Sequence, residues 1–199
     1  MRSRFLPEGR LLHTPENEAA CASRDGLRRA MEEETVLEGV AQLCDGAHNL
    51  LVSVGPFTGF LPREEAALGI AEGTTREIAI LSRVGKPVCF QITALEESEG
   101  VLRPRLSRRR AQQAALDAML AGLHPGCILP AVVTHLESFG AFVDIGCGVP
   151  SLIGIENISV SRIPHPDQRF RVGQAIFAVV QELDPKLGRV YLTHRELLG

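Results

Sequence analysis

The sequence predicts a mainly β protein in which two tandem five-stranded barrels are joined by an α-helical linker and preceded by a short helical segment. Two stretches, 34–107 and 126–199, each contain five short apolar runs separated by turn-forming residues such as Gly, Pro, Asn and Asp. Five short strands at this spacing are typical of a small antiparallel barrel. The run between the stretches, 108–123, consists largely of residues with high helix propensity.

An internal repeat supports this organisation. Three pairs of segments match in the same order, with offsets of 86 to 91 residues. Such drift indicates two copies of one module that differ by small loop insertions. The matching pairs are 51–55 with 142–146, 84–96 with 172–184, and 106–109 with 192–195.

The region before the first copy carries two helix-start signals. Thr14 followed by Pro15 predicts an N-cap and a first helical residue. Ser23 predicts the cap of a second short helix that reaches residue 33. The first dozen residues lack such signals and are expected to be loosely held. We therefore define 1–33 as a partly helical N-terminal extension.

The predicted strands alternate polar and apolar residues, and turn clusters separate them. Pro125 and Gly126 mark the end of the arginine-rich linker helix, 108–125. The strands expected in the first copy are 35–43, 50–54, 59–61, 86–95 and 101–107. The strands expected in the second copy are 127–136, 142–145, 151–155, 174–183 and 189–193.

The net negative charge and the low aromatic content do not favour RNA binding. The charge, however, is distributed unevenly along the chain. The 199 residues carry a net charge of −3, and only 5% of them are aromatic. The first 100 residues hold ten Lys or Arg against sixteen Asp or Glu, whereas 101–125 hold five Arg against one Asp. This arginine cluster lies directly before the second copy. It predicts either phosphate contacts or ion pairs with glutamates such as Glu96, Glu97 and Glu99.

The sequence contains no motif for catalysis, a cofactor or a metal centre. His124 and Cys127 have the spacing of metal ligands, but no second pair follows at a suitable distance. The uncharged stretch 118–136 is interrupted by Pro125 and Pro130, which argues against a membrane span. Five scattered cysteines without a CxxC pair fit a reducing compartment, and no signal peptide is expected. We therefore expect a cytoplasmic, non-catalytic protein without cofactor or metal.

The second copy resembles a known family. Its segment AVVTHLESFGAFVDIG at 131–146 is similar to the signature of the S1 RNA-binding domain, the oligonucleotide-binding (OB-fold) barrel repeated in ribosomal protein S1. The later segments SLIGI at 151–155 and VGQAI at 172–176 continue the resemblance, which extends to residue 195. The resemblance implies two OB-fold barrels, single-stranded RNA (mRNA or rRNA) as partner, and work around the ribosome in a bacterial cytoplasm.

The resemblance also implies which residues bind RNA. Carried over by position, Phe139 and Phe142 form a platform on which bases stack. Asp184 and Arg189 are polar partners at the far edge, and His135 lies where the family often has a basic residue. The alternative is that both phenylalanines belong to the core at the rim of the barrel.

Three further residues complete the predicted site. Strand alternation places Tyr191 on the same side of its strand as Arg189. Arg108 and Arg109 are the candidate phosphate contacts in the linker. One position departs from the family, because Gly154 stands where an exposed histidine is usual.

The first copy departs further from the family. His48 and Leu51 occupy its platform positions, so stacking would require Phe57 and Phe60 to substitute from a loop. It resembles the degenerate leading repeats of ribosomal protein S1, which implies attachment to protein, with the small ribosomal subunit as a candidate. Two other functions stay open: an adaptor whose barrels do not bind RNA, and an accessory RNA-binding part of an RNA-processing enzyme.

Overall fold

A computed structural model describes residues 5–195, so the ends of the predicted segments 1–33 and 126–199 (residues 1–4 and 196–199) lie outside the described residues. The described chain divides into two compact units, one formed by 8–114 and the other by 5–7 with 115–195. Each unit contains one five-stranded sheet, which confirms the predicted fold class. Residues 8–33 belong to the same compact unit as the first barrel.

The first unit begins with two short helices, α1 (Pro15–Cys21) and α2 (Arg24–Glu32). The Thr14 hydroxyl accepts the Asn17 amide hydrogen at 3.2 Å, and the Ser23 hydroxyl accepts that of Gly26 at 3.0 Å. Both predicted N-caps are therefore confirmed. These bonds satisfy amides that the first helical turn leaves without an intrahelical acceptor.

The first barrel is closed, with strand order β1-β2-β3-β5-β4. Its only parallel pair is β3 with β5, where Phe60 lies opposite Arg105. Closure leaves no free sheet edge. A four-residue helix, α3 (Ile78–Leu81), lies between β3 and β4. The strands are β1 (Leu37–Cys44), β2 (Leu50–Val54), β3 (Phe57–Leu61), β4 (Pro87–Ser98) and β5 (Val101–Ser107).

A buried carboxylate holds the chain before α1 against this barrel. Glu38 on β1 accepts hydrogen bonds from the backbone amides of Gly9 at 2.9 Å and Leu11 at 3.2 Å. Burial raises the pKa of Glu38 to about 7, although these amide bonds act in the opposite direction. The expectation that the first dozen residues are loosely held is therefore wrong for residues 8–11.

A second buried carboxylate forms an ion pair across 100 positions of the chain. Glu8 accepts hydrogen bonds from Nε of Arg108 at 2.9 Å and Nη2 of Arg108 at 2.5 Å. The Cys89 amide also donates to Glu8, and Arg83 lies 3.5 Å away. Burial alone would raise the pKa of Glu8, but the charges of Arg108 and Arg83 outweigh it and lower this pKa to about 2.

The helix α4 (Arg108–Gly122) follows β5, as predicted for the linker. Within residues 5–195, no helix is both long and apolar enough to cross a membrane. The second unit has strand order β10-β9-β6-β7-β8. The outer strands approach each other where the Ser151 hydroxyl donates to the Val190 carbonyl oxygen at 2.6 Å. The strands are β6 (Ile128–Glu137), β7 (Gly140–Asp144), β8 (Pro150–Gly154), β9 (Ala175–Asp184) and β10 (Arg189–Thr193).

The strand registers confirm the internal repeat. The first strand of each sheet has an irregularity, between Ala41 and Leu43 on β1 and between Val133 and His135 on β6. Directly after it, Leu43 pairs with Leu51 and His135 pairs with Phe142. Leu51 and Phe142 therefore occupy equivalent positions in the two barrels.

The close approach of β7 to β8 makes Gly140 a sensitive position. A Cβ atom added there would lie 2.4 Å from the Ile153 carbonyl oxygen. We expect Gly140→Ala to destabilise the second unit by about 1–3 kcal/mol, because the backbone must shift. Urea unfolding, followed by reaction of the buried Cys147 thiol, measures this loss.

The matched control is Gly46→Ala. A Cβ atom at Gly46 would meet nothing within 4 Å. This variant should unfold like the parent. An unchanged transition in Gly140→Ala would contradict the described packing of β7 on β8.

Candidate nucleic-acid interface

Three aromatic rings meet on the surface of the second barrel, and we call them the aromatic cluster. Phe139, in the β6–β7 turn, is 52% exposed. Its ring centroid lies 6.0 Å from that of the half-buried Phe142, with the rings nearly perpendicular. The ring of His135, on β6, lies 6.1 Å from Phe142 at an angle of 31°. The structure thus brings together three of the eight predicted site residues.

The local fold explains why these rings face outward. Ala141 and Val143 point into the core, so strand alternation directs Phe142 to the surface. The Ile155 amide donates to the Phe139 carbonyl oxygen at 2.9 Å, which anchors the turn. His135 Nε2 lies 2.6 Å from a carboxylate oxygen of Glu137, and this contact fixes the orientation of the imidazole ring.

Leu152 borders the aromatic cluster and was not among the predicted site residues. It lies opposite Phe142 on β8 and is 37% exposed. An exposed apolar side chain beside the aromatic cluster widens the apolar surface available to a base. Only the β7–β8 register reveals this neighbour, since ten residues separate the two in sequence.

The other predicted residues of the second barrel lie around the β9–β10 turn. Arg189 is exposed and pairs with Asp184 across the strands, while Tyr191 is half-buried. Asp184 accepts the backbone amides of Lys186 and Leu187, both at 3.1 Å. Its carboxylate therefore stabilises the turn, which is a structural role.

The structure contradicts the prediction that Arg108 contacts phosphate, and it pairs the partly exposed Arg109 with a carboxylate. Arg108 is buried and bound to Glu8, and it also donates to the Ala66 carbonyl oxygen at 3.1 Å. Arg109 donates twice to Glu65, each time at 3.0 Å. The alternative of ion pairing therefore applies. Within the arginine cluster, Arg105 pairs with the predicted Glu96 at 3.7 Å, whereas Arg108 and Arg109 pair with Glu8 and Glu65, which are distant in sequence.

The two units differ in how their basic side chains are neutralised. Within residues 5–195, seven arginines of the first unit lie in ion pairs, whereas no Lys or Arg of the second unit does. Cations without an internal partner favour an anionic ligand. The basic residues of the second unit are Arg162, Arg169, Arg171, Lys186, Arg189 and Arg195.

The equivalent surface of the first barrel has no aromatic cluster. Leu51 replaces Phe142 in the register, and His48 lies in the turn beside Glu77. Phe57 and Phe60 lie on β3 rather than in a loop, so the condition under which they would replace the missing platform is not met. The Arg105 guanidinium lies 5.3 Å from the centroid of the Phe60 ring, a cation–π geometry.

A carboxylate lies where the family usually has an exposed histidine. A Cβ atom added at Gly154 would lie 2.5 Å from an oxygen of Glu156. The Glu156 side chain thus occupies this space and places negative charge close to the Phe139 turn. Among residues 5–195, no group of three or more His, Cys, Asp or Glu side chains could hold a metal ion.

Comparison with known proteins finds similarity for the second barrel and for most of the chain. The model of the S1 RNA binding domain family matches residues 123–195, which include the whole aromatic cluster. The small ribosomal subunit protein bS1 of Neisseria meningitidis is 28% identical over 177 residues, 86% of this chain and 29% of that protein. The bS1 protein of Mycobacterium tuberculosis is 28% identical over 191 residues, 94% of this chain and 37% of that protein.

A third relative carries a different name. Protein tex of Bordetella pertussis is 37% identical over 113 residues, 57% of this chain and 14% of that protein. The chain therefore spans less than two fifths of the length of each of these three relatives. The similarity to the S1 RNA binding domain family thus covers residues 123–195, and the chain is similar to ribosomal protein bS1 over most of its length.

Proposed function

We propose that this protein binds single-stranded RNA, mRNA or rRNA, through the aromatic cluster of its second barrel and acts in translation in the cytoplasm. The observation that carries the proposal is the grouping of Phe139, Phe142 and His135 on the surface of an S1 domain. Unstacked bases expose faces that pack on aromatic rings, and each such contact contributes ~1–3 kcal/mol. The proposed activity is binding without catalysis, and it needs no cofactor.

An exposed arginine of the second unit supports the same function. Arg189 is exposed and lies two residues before Tyr191 on β10. Both side chains can contact RNA nucleotides next to those that stack on the aromatic cluster. Guanidinium groups form bidentate hydrogen bonds with phosphate and stack on bases. Binding should therefore weaken as salt rises, since each neutralised phosphate releases counterions.

We propose that the first barrel attaches to protein, with the small ribosomal subunit as the candidate partner. Its arginines are largely engaged in ion pairs, and the first 100 residues are acidic, so its charge does not favour RNA. It exposes several large apolar side chains, including Leu43 at 52%, Ile78 at 64% and Leu81 at 42%. Exposed apolar groups of this kind often mark protein contacts.

Fluorescence anisotropy with a labelled single-stranded RNA at two salt concentrations tests the RNA-binding proposal. We expect saturable binding that weakens at the higher salt, and weaker binding of a duplex of the same length. If the parent protein binds no RNA, the adaptor function is favoured. Co-sedimentation with purified small ribosomal subunits then tests the first barrel separately.

Removing the Glu156 charge should strengthen RNA binding. We expect Glu156→Gln to tighten binding by about twofold to fivefold at low ionic strength, because a carboxylate beside the Phe139 turn repels phosphate. The gain should shrink as salt is added. The same titration of Glu32→Gln, an exposed residue of the first unit, is the control and should match the parent. An unchanged affinity in Glu156→Gln would place the RNA away from this turn.

A further inference from the structure

We propose that a cleft in the β8–β9 connection, formed by residues 167–174, binds phosphate groups of the RNA strand whose bases stack on the aromatic cluster. This inference rests on the proposed function and adds a second contact region to the same interface. Its contacts are the guanidinium groups of Arg169 and Arg171. Neither arginine was among the residues predicted from the sequence.

The cleft has a volume of about 580 Å³, and its lining mixes polar and apolar side chains, including two arginines. Arg169 and Arg171 are exposed and form no ion pair with another described residue. Asp167 is the acidic lining residue, and its carboxylate lies 3.1 Å from the imidazole of His165. The cleft is therefore lined by two arginines that pair with no other described residue and by one carboxylate.

The backbone around the two arginines is ordered by short-range hydrogen bonds. The amides of Arg169 and Phe170 both donate to the Pro166 carbonyl oxygen, at 3.0 and 2.9 Å. The Arg171 amide donates to the Gln174 side chain at 2.9 Å. Phe170 is almost completely buried, and its ring lies 5.0 Å from that of His194. A cleft with its backbone already in place loses less entropy when a ligand binds.

The connection that forms the cleft is hydrogen-bonded to β6, the strand that carries His135. The Gly173 amide donates to the Val133 carbonyl oxygen at 2.7 Å, and the Val133 amide donates to the Gln174 carbonyl oxygen at 2.9 Å. This part of the connection therefore runs along the edge of β6 just before His135. The Phe142 strand, β7, pairs with β6 in the same stretch. Adjacent strands lie ≈ 4.8 Å apart, so the cleft is within reach of a strand only a few nucleotides long.

Phosphate is the ligand that this chemistry favours. Arginine presents a planar set of donors that matches two phosphate oxygens, and it keeps its charge at any physiological pH. An RNA strand stacked on the rings carries a phosphate on every nucleotide. The basic cleft can therefore hold the backbone while the rings hold the bases.

The test compares two double variants that lose the same charge. Arg169→Gln/Arg171→Gln removes the cleft arginines, and Arg162→Gln/Lys186→Gln removes two basic residues of the same unit that do not line the cleft. Binding of a labelled ten-nucleotide RNA is measured between 50 and 200 mM salt. Two lost phosphate contacts should reduce the slope of log affinity against log salt by about 1.4. The ratio of the parent's affinity to that of the cleft variant should then fall about sevenfold as salt rises from 50 to 200 mM.

The outcomes separate this inference from the function on which it rests. A reduced slope in the cleft variant alone supports the cleft. Equal losses in both double variants, with the Phe139 and Phe142 contribution intact, overturn the cleft and leave RNA binding in place. If the parent binds no RNA, both the proposed function and the cleft are overturned.

Discussion

Replacing Phe139 and Phe142 together by alanine is expected to weaken RNA binding by about 30-fold or more. Each base stacked on an aromatic ring contributes ~1–3 kcal/mol, so two lost contacts amount to ~2–6 kcal/mol. The two rings pack edge to face at 6.0 Å, so removing one also removes support for the other. Anisotropy titrations of parent and variant with the same single-stranded RNA give the ratio.

A matched control exists in the same unit. Phe177 on β9 is 62% exposed, and it pairs with Pro130 rather than with a member of the aromatic cluster. Phe177→Ala removes an equally large exposed ring and should bind RNA like the parent. A folded Phe139→Ala/Phe142→Ala variant with unchanged affinity would show that the bases do not stack on these rings.

Glu8→Gln is expected to destabilise the first unit by about 3–5 kcal/mol. Removing one partner of a buried ion pair leaves the other charge without compensation in a poorly solvated environment. The Glu8 and Arg108 side chains are only 3% and 7% exposed, so water cannot replace the lost carboxylate. Glutamine has nearly the same shape as glutamate and leaves no cavity. The loss of unfolding free energy therefore measures the effect of removing the charge.

Urea unfolding with thiol labelling can locate this effect. Cys21 and Cys89 are buried in the first unit, and Cys147 is buried in the second. The first two thiols should react at lower urea in Glu8→Gln, while Cys147 should be unaffected. The control is Glu97→Gln, which breaks the exposed pair with Arg24 and should leave all three thiols unchanged. Equal unfolding of Glu8→Gln and parent would mean that the pair does not stabilise the unit.

The same pair gives the first unit a predictable acid response. The pKa of Glu8 is lowered to about 2 from an ordinary value of 4.5. The ionised Glu8 carboxylate therefore contributes its full stabilisation to the folded unit above about pH 4.5. This contribution is lost as the pH falls from 4.5 through about 2. Thermal unfolding between pH 2 and 6 should show this acid loss in the parent and a smaller one in Glu8→Gln.

Much of the candidate site could be predicted from local sequence. The FGAF motif and strand alternation were sufficient to propose that Phe139 and Phe142 face outward, since side-chain direction depends on only a few neighbouring residues. The approach of Leu152 to Phe142 could not be predicted in this way, because it depends on the register between β7 and β8. The carboxylate of Glu156 beside Gly154 is a similar case, because it depends on how the chain turns after β8.

The sequence by itself determined the two barrels, the order of their strands along the chain and the caps of the first helices. These features follow from periodicity and turn residues, which act over short distances. Only the tertiary structure decided which arginines are available to a ligand. Arg108 is neutralised by Glu8, 100 residues away, whereas Arg169 and Arg171 have no ion-pair partner among the described residues. The physical reason is that charge compensation depends on which side chains folding brings together, and the spacing of charges along the chain does not record this.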